Sequence, residues 1–292
     1  ASIKAYLEGR IKRHELTREK KELDRIKHID TLQAQTGPVM LIHKENKALR
    51  TILKHITSEK NSDTNAVLEN WQHELWPVND IDQVEKITHH LNSIQNLYIA
   101  DGHHRSAAAS KIFLNQKEQA TTNCFLAVTF DETELKILPY NRVVRDLNQL
   151  TVNEFLDQLS NTFKIDKMKG NSFFNEKYCY FIYLENTWYQ IKLKEIPQNI
   201  SNIAETLDTR IVEEYILKPI LGIENIRTDD RIDFVGGPQS IEKIVNLVDS
   251  GIMKIGIALP TTAIEELLKI SDSDQLMPPK STWFEPKLAD GL

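Results

Sequence analysis

Leu97-Tyr98-Ile99-Ala100-Asp101-Gly102-His103-His104-Arg105-Ser106-Ala107-Ala108-Ala109 is the stretch that decides the fold. Leu97 to Ala100, three apolar residues and an alanine, read as the end of a short buried strand. Asp101-Gly102 then interrupts the chain, and Ser106 to Ala109 has strong helix-forming composition. The polar run Asp101 to Arg105 is therefore expected on a strand-to-helix turn. The first backbone N–H groups of a helix have no intrahelical partner and carry partial positive charge, so they attract an anion. Gly102 lets the backbone approach a ligand closely, and Arg105 adds a planar, permanently charged fork suited to phosphate. His103 and His104 can donate to phosphate oxygens or move protons near neutral pH. Read for function, the run is a phosphate site with an acid/base pair beside it. Read for structure alone, Asp101-Gly102 is an ordinary turn and Asp101 a helix cap.

Outward from that turn the chain alternates strand and helix, the rhythm of an α/β domain. Upstream, a helix is expected at 3–7, ended by Gly9, then a weakly alternating strand from Ile11 that runs into a loop. A charged helix follows at about 18–33, capped by Thr17, with Leu23, Ile26, Ile29 and Leu32 as its apolar stripe. Gly37-Pro38 stops it. A buried strand at 39–42, a helix at 47–56, a strand at 70–78 with two tryptophans, and a helix capped by Asn79 or Asp80 lead back to the turn.

Downstream, strands are expected at 123–130 and at 136–144, the second interrupted by Pro139. It carries Arg142 and Arg145, which read as surface arginines or as the holders of a second anion. A helix at 152–159 precedes two strand-like runs, 178–184 and 187–193, joined by Glu185-Asn186, a hairpin signal. After a linker at 195–206 the α/β order resumes: helix 208–217, strand 231–235, helix 239–247, strand 254–258 and helix 262–270. Gly236-Gly237 before a helix is another candidate anion turn. In the tail, 277–287, stiff prolines, Trp283 and Phe284 predict docking, as a structural latch or with Lys280, Ser281 and Thr282 on the substrate side of the site. The chain thus divides into a phosphate-binding part at 1–150, a strand-hairpin insertion at 151–200, and a C-terminal α/β part with the docking tail at 201–292.

With 292 residues, 40% hydrophobic and 27% charged, the chain has material for a substantial core. Its net charge of −6 gives no global pull toward nucleic acid or membrane, so neither is an expected partner. No apolar run reaches the length of a membrane span and no signal peptide is visible; the start, Ala1-Ser2-Ile3, suits a processed product or a fragment. Cys124 and Cys179 belong to no metal or redox spacing and read as buried apolar residues of a reducing, cytoplasmic compartment. All nine histidines precede Arg105, so proton chemistry is expected from the first half. His14, His73 and Glu15 could hold a metal beside His103 or His104 only by folding together, and no ligand spacing supports it; no metal ligand set is expected. No Walker motif is present.

Along essentially its whole length the sequence resembles the bacterial and archaeal domain-of-unknown-function family often labelled "SpoOJ/ParA/ParB/RepB family protein". The matching stretches are Lys12-Arg13-His14-Glu15-Leu16-Thr17-Arg18, Thr36-Gly37-Pro38-Val39, Leu75-Trp76-Pro77-Val78, Ala100-Asp101-Gly102-His103-His104-Arg105, Arg231-Ile232-Asp233-Phe234-Val235-Gly236-Gly237 and Pro278-Pro279-Lys280-Ser281-Thr282-Trp283-Phe284-Glu285-Pro286-Lys287. The resemblance implies a further region ahead of Ala1. Asp101 to Arg105 is also similar to the second motif of the ParB/sulfiredoxin-like superfamily, whose members bind a nucleotide phosphate at this turn. The implied fold is a ParB/sulfiredoxin-like mixed sheet with flanking helices, embedded in a larger α/β fold. Sulfiredoxin chemistry needs a cysteine where His103 stands, and partition proteins use an arginine-rich motif with a basic DNA-binding domain; neither fits. The closest match is the Asp-Gly-His turn of the free-serine kinases. That likeness implies nucleotide-dependent phosphoryl transfer to a small hydroxyl-bearing metabolite, with ATP or ADP and Mg²⁺ as cofactors. Gly102, His103, His104, Arg105 and Arg18 would hold the phosphates, with His104 also counted as catalytic. Asp101 would orient the hydroxyl or hold Mg²⁺, and Glu15 would be the catalytic base, since the resembling kinases take a glutamate from an earlier loop. The competing expectation is a non-catalytic module that binds or senses a nucleotide or contacts a partner.

Overall fold

The structure is a computed structural model that describes residues 1–15, 17, 19–68, 71–115, 123–170, 172–197 and 202–288. These residues form two compact units, one of Ala1–Arg13, Thr17–Leu135 and 286–288, the other of residues 14–15 and Lys136–Glu285.

The first unit is a mixed four-stranded sheet with helices. In chain order it runs α1 (Ile3–Leu7), β1 (Ile11–Lys12), α2 (Glu19–Leu32), β2 (Val39–His43), α3 (Lys47–Glu59), β3 (Thr64–Leu68), β4 (Trp71–Leu75), α4 (Ile81–Ser93), β5 (Leu97–Asp101), α5 (His103–Asn115) and β6 (Ala127–Asp131). The sheet order is β1-β5-β2-β6. The outer pairs are parallel, and the central pair, β5 with β2, is antiparallel. β3 and β4 form a separate hairpin.

Helix starts follow local chemistry: the Asn46 side chain accepts from Leu49 N–H, and the Asp80 side chain from Gln83 N–H. In α5 the small residues Ser106 to Ser110 are all buried, which lets this helix lie close against α1, α2 and β2. Ile3, Val39, Leu41, Ile99, Phe113 and Phe125 build the adjoining core. Cys124, expected inside, is exposed, because its strand begins only at Ala127.

The second unit contains β7 (Lys136–Leu138), β8 (Tyr140–Val144), α6 (Val152–Thr162), β9 (Phe163–Lys167), β10 (Cys179–Leu184), β11 (Thr187–Leu193), α7 (Asp208–Val212), β12 (Ile232–Gly236), α8 (Ser240–Asp249), β13 (Ile255–Ala258), α9 (Ile264–Asp272) and β14 (Trp283–Glu285). Helix α7 continues as a π-helix over Glu213–Leu217. Six strands join in the order β12-β8-β13-β10-β11-β9, every neighbouring pair antiparallel. The strands of residues 163–193, set apart by sequence as a hairpin insertion, join this sheet through β10, which is hydrogen-bonded to β13. Glu185 and Asn186 have φ of 48° and 55°, the left-handed pair that a two-residue hairpin turn needs.

One core joins Phe155 and Leu159 of α6 and Ile211 and Val212 of α7 to sheet residues such as Val144 and Ile257. A second core gathers Val143, Tyr183, Trp188, Val235 and Ile244. Strand residues alternate between the two, so the sheet is buried on both faces. Among the described residues no helix is long and apolar enough to cross a membrane.

Candidate functional site

The turn at Asp101 to Arg105 lies where the sequence places it, between the end of β5 and the start of α5. Gly102 has φ +100°, a conformation that L side chains rarely adopt. A Cβ at Gly102 would also sit 3.1 Å from Arg105 Nε and 3.2 Å from Val39 Cα, so space as well as conformation calls for glycine. Its carbonyl accepts from Arg105 N–H at 2.9 Å and Ser106 N–H at 3.0 Å, which starts the helix. The buried Ser106 hydroxyl donates to the His103 carbonyl at 3.1 Å and ties down the first turn.

Around this backbone the side chains are mostly cationic. The Asp101 carboxylate has Arg105 Nη2 at 3.9 Å on one oxygen and Lys287 Nζ at 3.4 Å on the other. His103 is buried and His104 half-buried. Farther along, Glu22 accepts from Lys111 and from the Thr17 hydroxyl. Burial alone would raise the Glu22 carboxyl, but the hydrogen bonds from Lys111 and Thr17, with the charges of Lys111 and His104, hold it below the ordinary range. Two imidazoles, two cations and a helix start beside one shared carboxylate are a set of groups that could receive an anion.

Lys287 was not among the residues picked from sequence. The tail reads as a structural latch or as the bearer of Lys280, Ser281 and Thr282 to the substrate side; the tail residue at Asp101 is Lys287. Its signal in the sequence is faint: a cation that follows the packed aromatics Trp283 and Phe284. Arg18 lies outside the described residues.

The other selected residues belong to the second unit. Glu15 lines a cavity of 330 Å³ with Arg210, Glu213, Asn225 and Arg227. Arg210 is held there by Glu205 at 3.2 Å and Glu213 at 3.0 Å. Ser281 is buried: its hydroxyl donates to the Pro278 carbonyl at 2.6 Å and lies 3.2 Å from the Thr209 hydroxyl, while its carbonyl accepts from Thr262. Lys280 Nζ stands 5.2 Å from the Tyr140 ring centre. Both residues therefore anchor the tail to its own unit.

Arg142, expected at the surface, is almost completely buried, whereas Arg145 is exposed. The Arg142 guanidinium lies 5.3 Å from the Phe234 ring centre and donates to the Tyr140 carbonyl. Desolvation pushes it down to about 10, against the pull of Glu213, which raises it. The Gly236-Gly237 turn is covered by the Trp283 ring.

The first unit with its cation-lined strand-to-helix turn, and the antiparallel second unit, define a two-part α/β protein. Residues 1–210 match the family model described as a protein of unknown function (DUF1015), and the chain belongs to that family. None of the curated proteins matches the sequence. Among solved structures, SbnI with C-terminal truncation from Staphylococcus aureus has a TM-score of 0.51 at 9% identity, over 99% of this chain and 84% of that one. This likeness shows the fold. A free serine kinase in complex with AMP has a TM-score of 0.48 at 11% identity, over 97% of this chain and 85% of that one. A conserved hypothetical protein from Pyrococcus furiosus has a TM-score of 0.47 at 13% identity, over 99% of this chain and 91% of that one.

Proposed function

We propose that the chain binds a nucleotide by its phosphates at the Asp101–Arg105 turn, in the manner of the ParB/sulfiredoxin-like superfamily, and transfers a phosphoryl group to a small hydroxyl-bearing metabolite. The observation that carries this reading is Gly102 at φ +100°, which starts α5 beside Arg105 and Lys287. The helix start and the two cations would neutralise phosphate charge, and His103 and His104 would donate to its oxygens. Mg²⁺, if it enters with the phosphates, would offset their charge, with Asp101 as its protein oxygen. Glu15 is proposed as the base. In the transfer the acceptor oxygen forms a bond to phosphorus, the bond to the leaving phosphate oxygen breaks, and the hydroxyl proton goes to the carboxylate.

A second reading is a nucleotide-binding module without turnover. The double clamp on Asp101 favours it, because a carboxylate already shared by two cations is less available to hold Mg²⁺. Thermal unfolding with ATP, ADP, CTP or pyrophosphate, with and without Mg²⁺, tests the binding. A ligand of the folded form must raise Tm, by an amount worth about 2.7 kcal/mol at a hundred times Kd. The rise should vanish in Arg105→Ala; a rise that persists there removes the phosphate from the turn. Glu15→Gln separates the two readings: a transferase loses turnover and keeps binding, whereas a binding module is unaffected.

A further inference from the structure

The six-stranded sheet ends in two edge strands, β12 and β9, whose outward backbone groups differ. Beside β12, Arg145 N–H donates to the Arg231 carbonyl. By the alternation of an antiparallel ladder, Asp233 and Val235 then bond to β8, and Ile232, Phe234 and Gly236 direct their groups outward. The central outward donor, Phe234 N–H, is taken by the Asp233 carboxylate at 2.8 Å. That edge is blunted by its own side chain.

The β9 edge is open. Met168 N–H donates to the Trp188 carbonyl and Lys194 N–H to the Thr162 carbonyl, so Lys164 and Asp166 between them are the residues bonded to β11. The backbone groups of Phe163, Ile165 and Lys167 therefore point away from the sheet. Phe163 N–H turns back to the Leu159 carbonyl at the end of α6. The N–H groups of Ile165 and Lys167 and the carbonyls of Phe163 and Ile165 have no hydrogen-bond partner among the described residues.

The side chains select what adds to this edge. Lys164 and Asp166 share one face, both exposed and 3.1 Å apart, while Ile165 on the other face packs against the core. Laid antiparallel on its own copy about Ile165, the strand sets Lys164 opposite Asp166 twice, once on each side of the axis. Those are the closely spaced pairs of the ladder, in which side chains meet, because Ile165 forms the hydrogen-bonded pair. A shift of two residues either way opposes Lys164 to Lys164 or Asp166 to Asp166, so charge fixes the register.

We propose that β9 is a homodimer edge, to which a second copy of this chain adds antiparallel about a two-fold axis at Ile165. Ile165 N–H donates to the Ile165 carbonyl of the second copy, and Lys167 N–H to its Phe163 carbonyl, each in both directions. The two sheets become one.

The test is sedimentation equilibrium of the full chain from about 10 μM to about 1 mM, with variants at the edge. The chain should dimerise reversibly, and less at high salt. Lys164→Asp and Asp166→Lys should each weaken the dimer about tenfold, by opposing like charges. An equimolar mixture of these two variants should restore association, because every pair across the axis then unites opposite charges. Loss of the Lys164–Asp166 contact within one chain cannot be repaired by mixing. Ile165→Pro removes an outward N–H without touching the β11 ladder; it should keep the fold, read by circular dichroism, and abolish the dimer. The proposal is overturned by a chain that stays monomeric at every concentration, by a dimer that the charge variants leave intact, or by a mixture that associates no better than its components.

Discussion

Asp101-Gly102 and Gly236-Gly237 have the same local grammar, a strand that ends in glycine before a helix, and they end as different objects. At the first, Gly102 needs its positive φ, and its surroundings are Arg105, Lys287 and two histidines. At the second, Gly237 also has a positive φ, +93°, whereas Gly236 does not and is required by space, since a Cβ there would lie 2.3 Å from Trp283 Cε3. Tyr140, with its ring centre 5.4 Å from that of Trp283, completes the cover. One glycine serves conformation at a polar turn, and the other serves an aromatic lid. A run of a few residues does not distinguish these ends, because the deciding partner comes from far along the chain.

The largest effect expected from this difference is on stability. Gly236→Ala should cost about 3 kcal/mol, because the new methyl forces Trp283 or the strand to move. Gly102→Ala should cost about 2 kcal/mol through its backbone conformation. Chemical denaturation of double mutants separates the causes. In a Trp283→Ala background Gly236→Ala should become nearly neutral, since the clash is gone. Arg105→Ala should rescue little of the Gly102→Ala loss, since φ stays at fault. A Gly236→Ala penalty that survives removal of Trp283 breaks the distinction.

A smaller effect, opposite in sign in the two units, is expected with pH. In the second unit burial raises Asp208 to about 6, despite hydrogen bonds from Tyr178 N–H and the Tyr180 hydroxyl that pull it down. A carboxyl raised on folding contributes stability that is complete below its unfolded value near 3.9 and is lost as pH rises through 6. That contribution is at most roughly 3 kcal/mol. In the first unit Glu22 is held low, so its contribution is present above its unfolded value near 4.3 and is lost on acidification. Hydrogen exchange followed from pH 7 to pH 4 should therefore protect α7 more and the α2–α5 contact less. Asp208→Asn should flatten the first response and Glu22→Gln the second. The same slope in both units would refute these assignments.

How much of this was legible in the sequence follows from the range of the forces involved. Local chemistry gave the strand-to-helix turn at Gly102, the break at Pro139 between β7 and β8, and the Glu185-Asn186 hairpin, each set by a few neighbouring residues. The antiparallel order of the second sheet was not legible: strands that alternate with helices read alike whether they pair parallel or antiparallel, and long-range pairing decides. β9 went unseen because its Phe163-Lys164-Ile165-Asp166-Lys167 alternation is short and follows α6 without a break. Arg142 was misplaced because an arginine gives no sign in sequence that Phe234 and Tyr140 will enclose it. The position of the turn was legible; the approach of Lys287, 186 residues beyond Asp101, to its carboxylate was not.

Lys287 gives the smallest and sharpest test of the comparison. Lys287→Gln removes one charge from a contact whose partners are both about half exposed, so it should change stability by less than about 0.5 kcal/mol. If the turn is a phosphate site, the same change should reduce pyrophosphate-induced stabilisation, by less than Arg105→Ala does, because Lys287 is a point charge and Arg105 a planar fork at the helix start. The reduction should shrink as salt is raised from low to physiological strength, since an exposed charge is screened over about 8 Å there. If Lys287 merely neutralises Asp101, Lys287→Gln should leave ligand stabilisation unchanged, and Asp101→Asn should then restore the stability lost without touching the ligand. The two outcomes distinguish a cation that serves a bound phosphate from one that serves the carboxylate beside it; at the other turn the Trp283 ring takes that place.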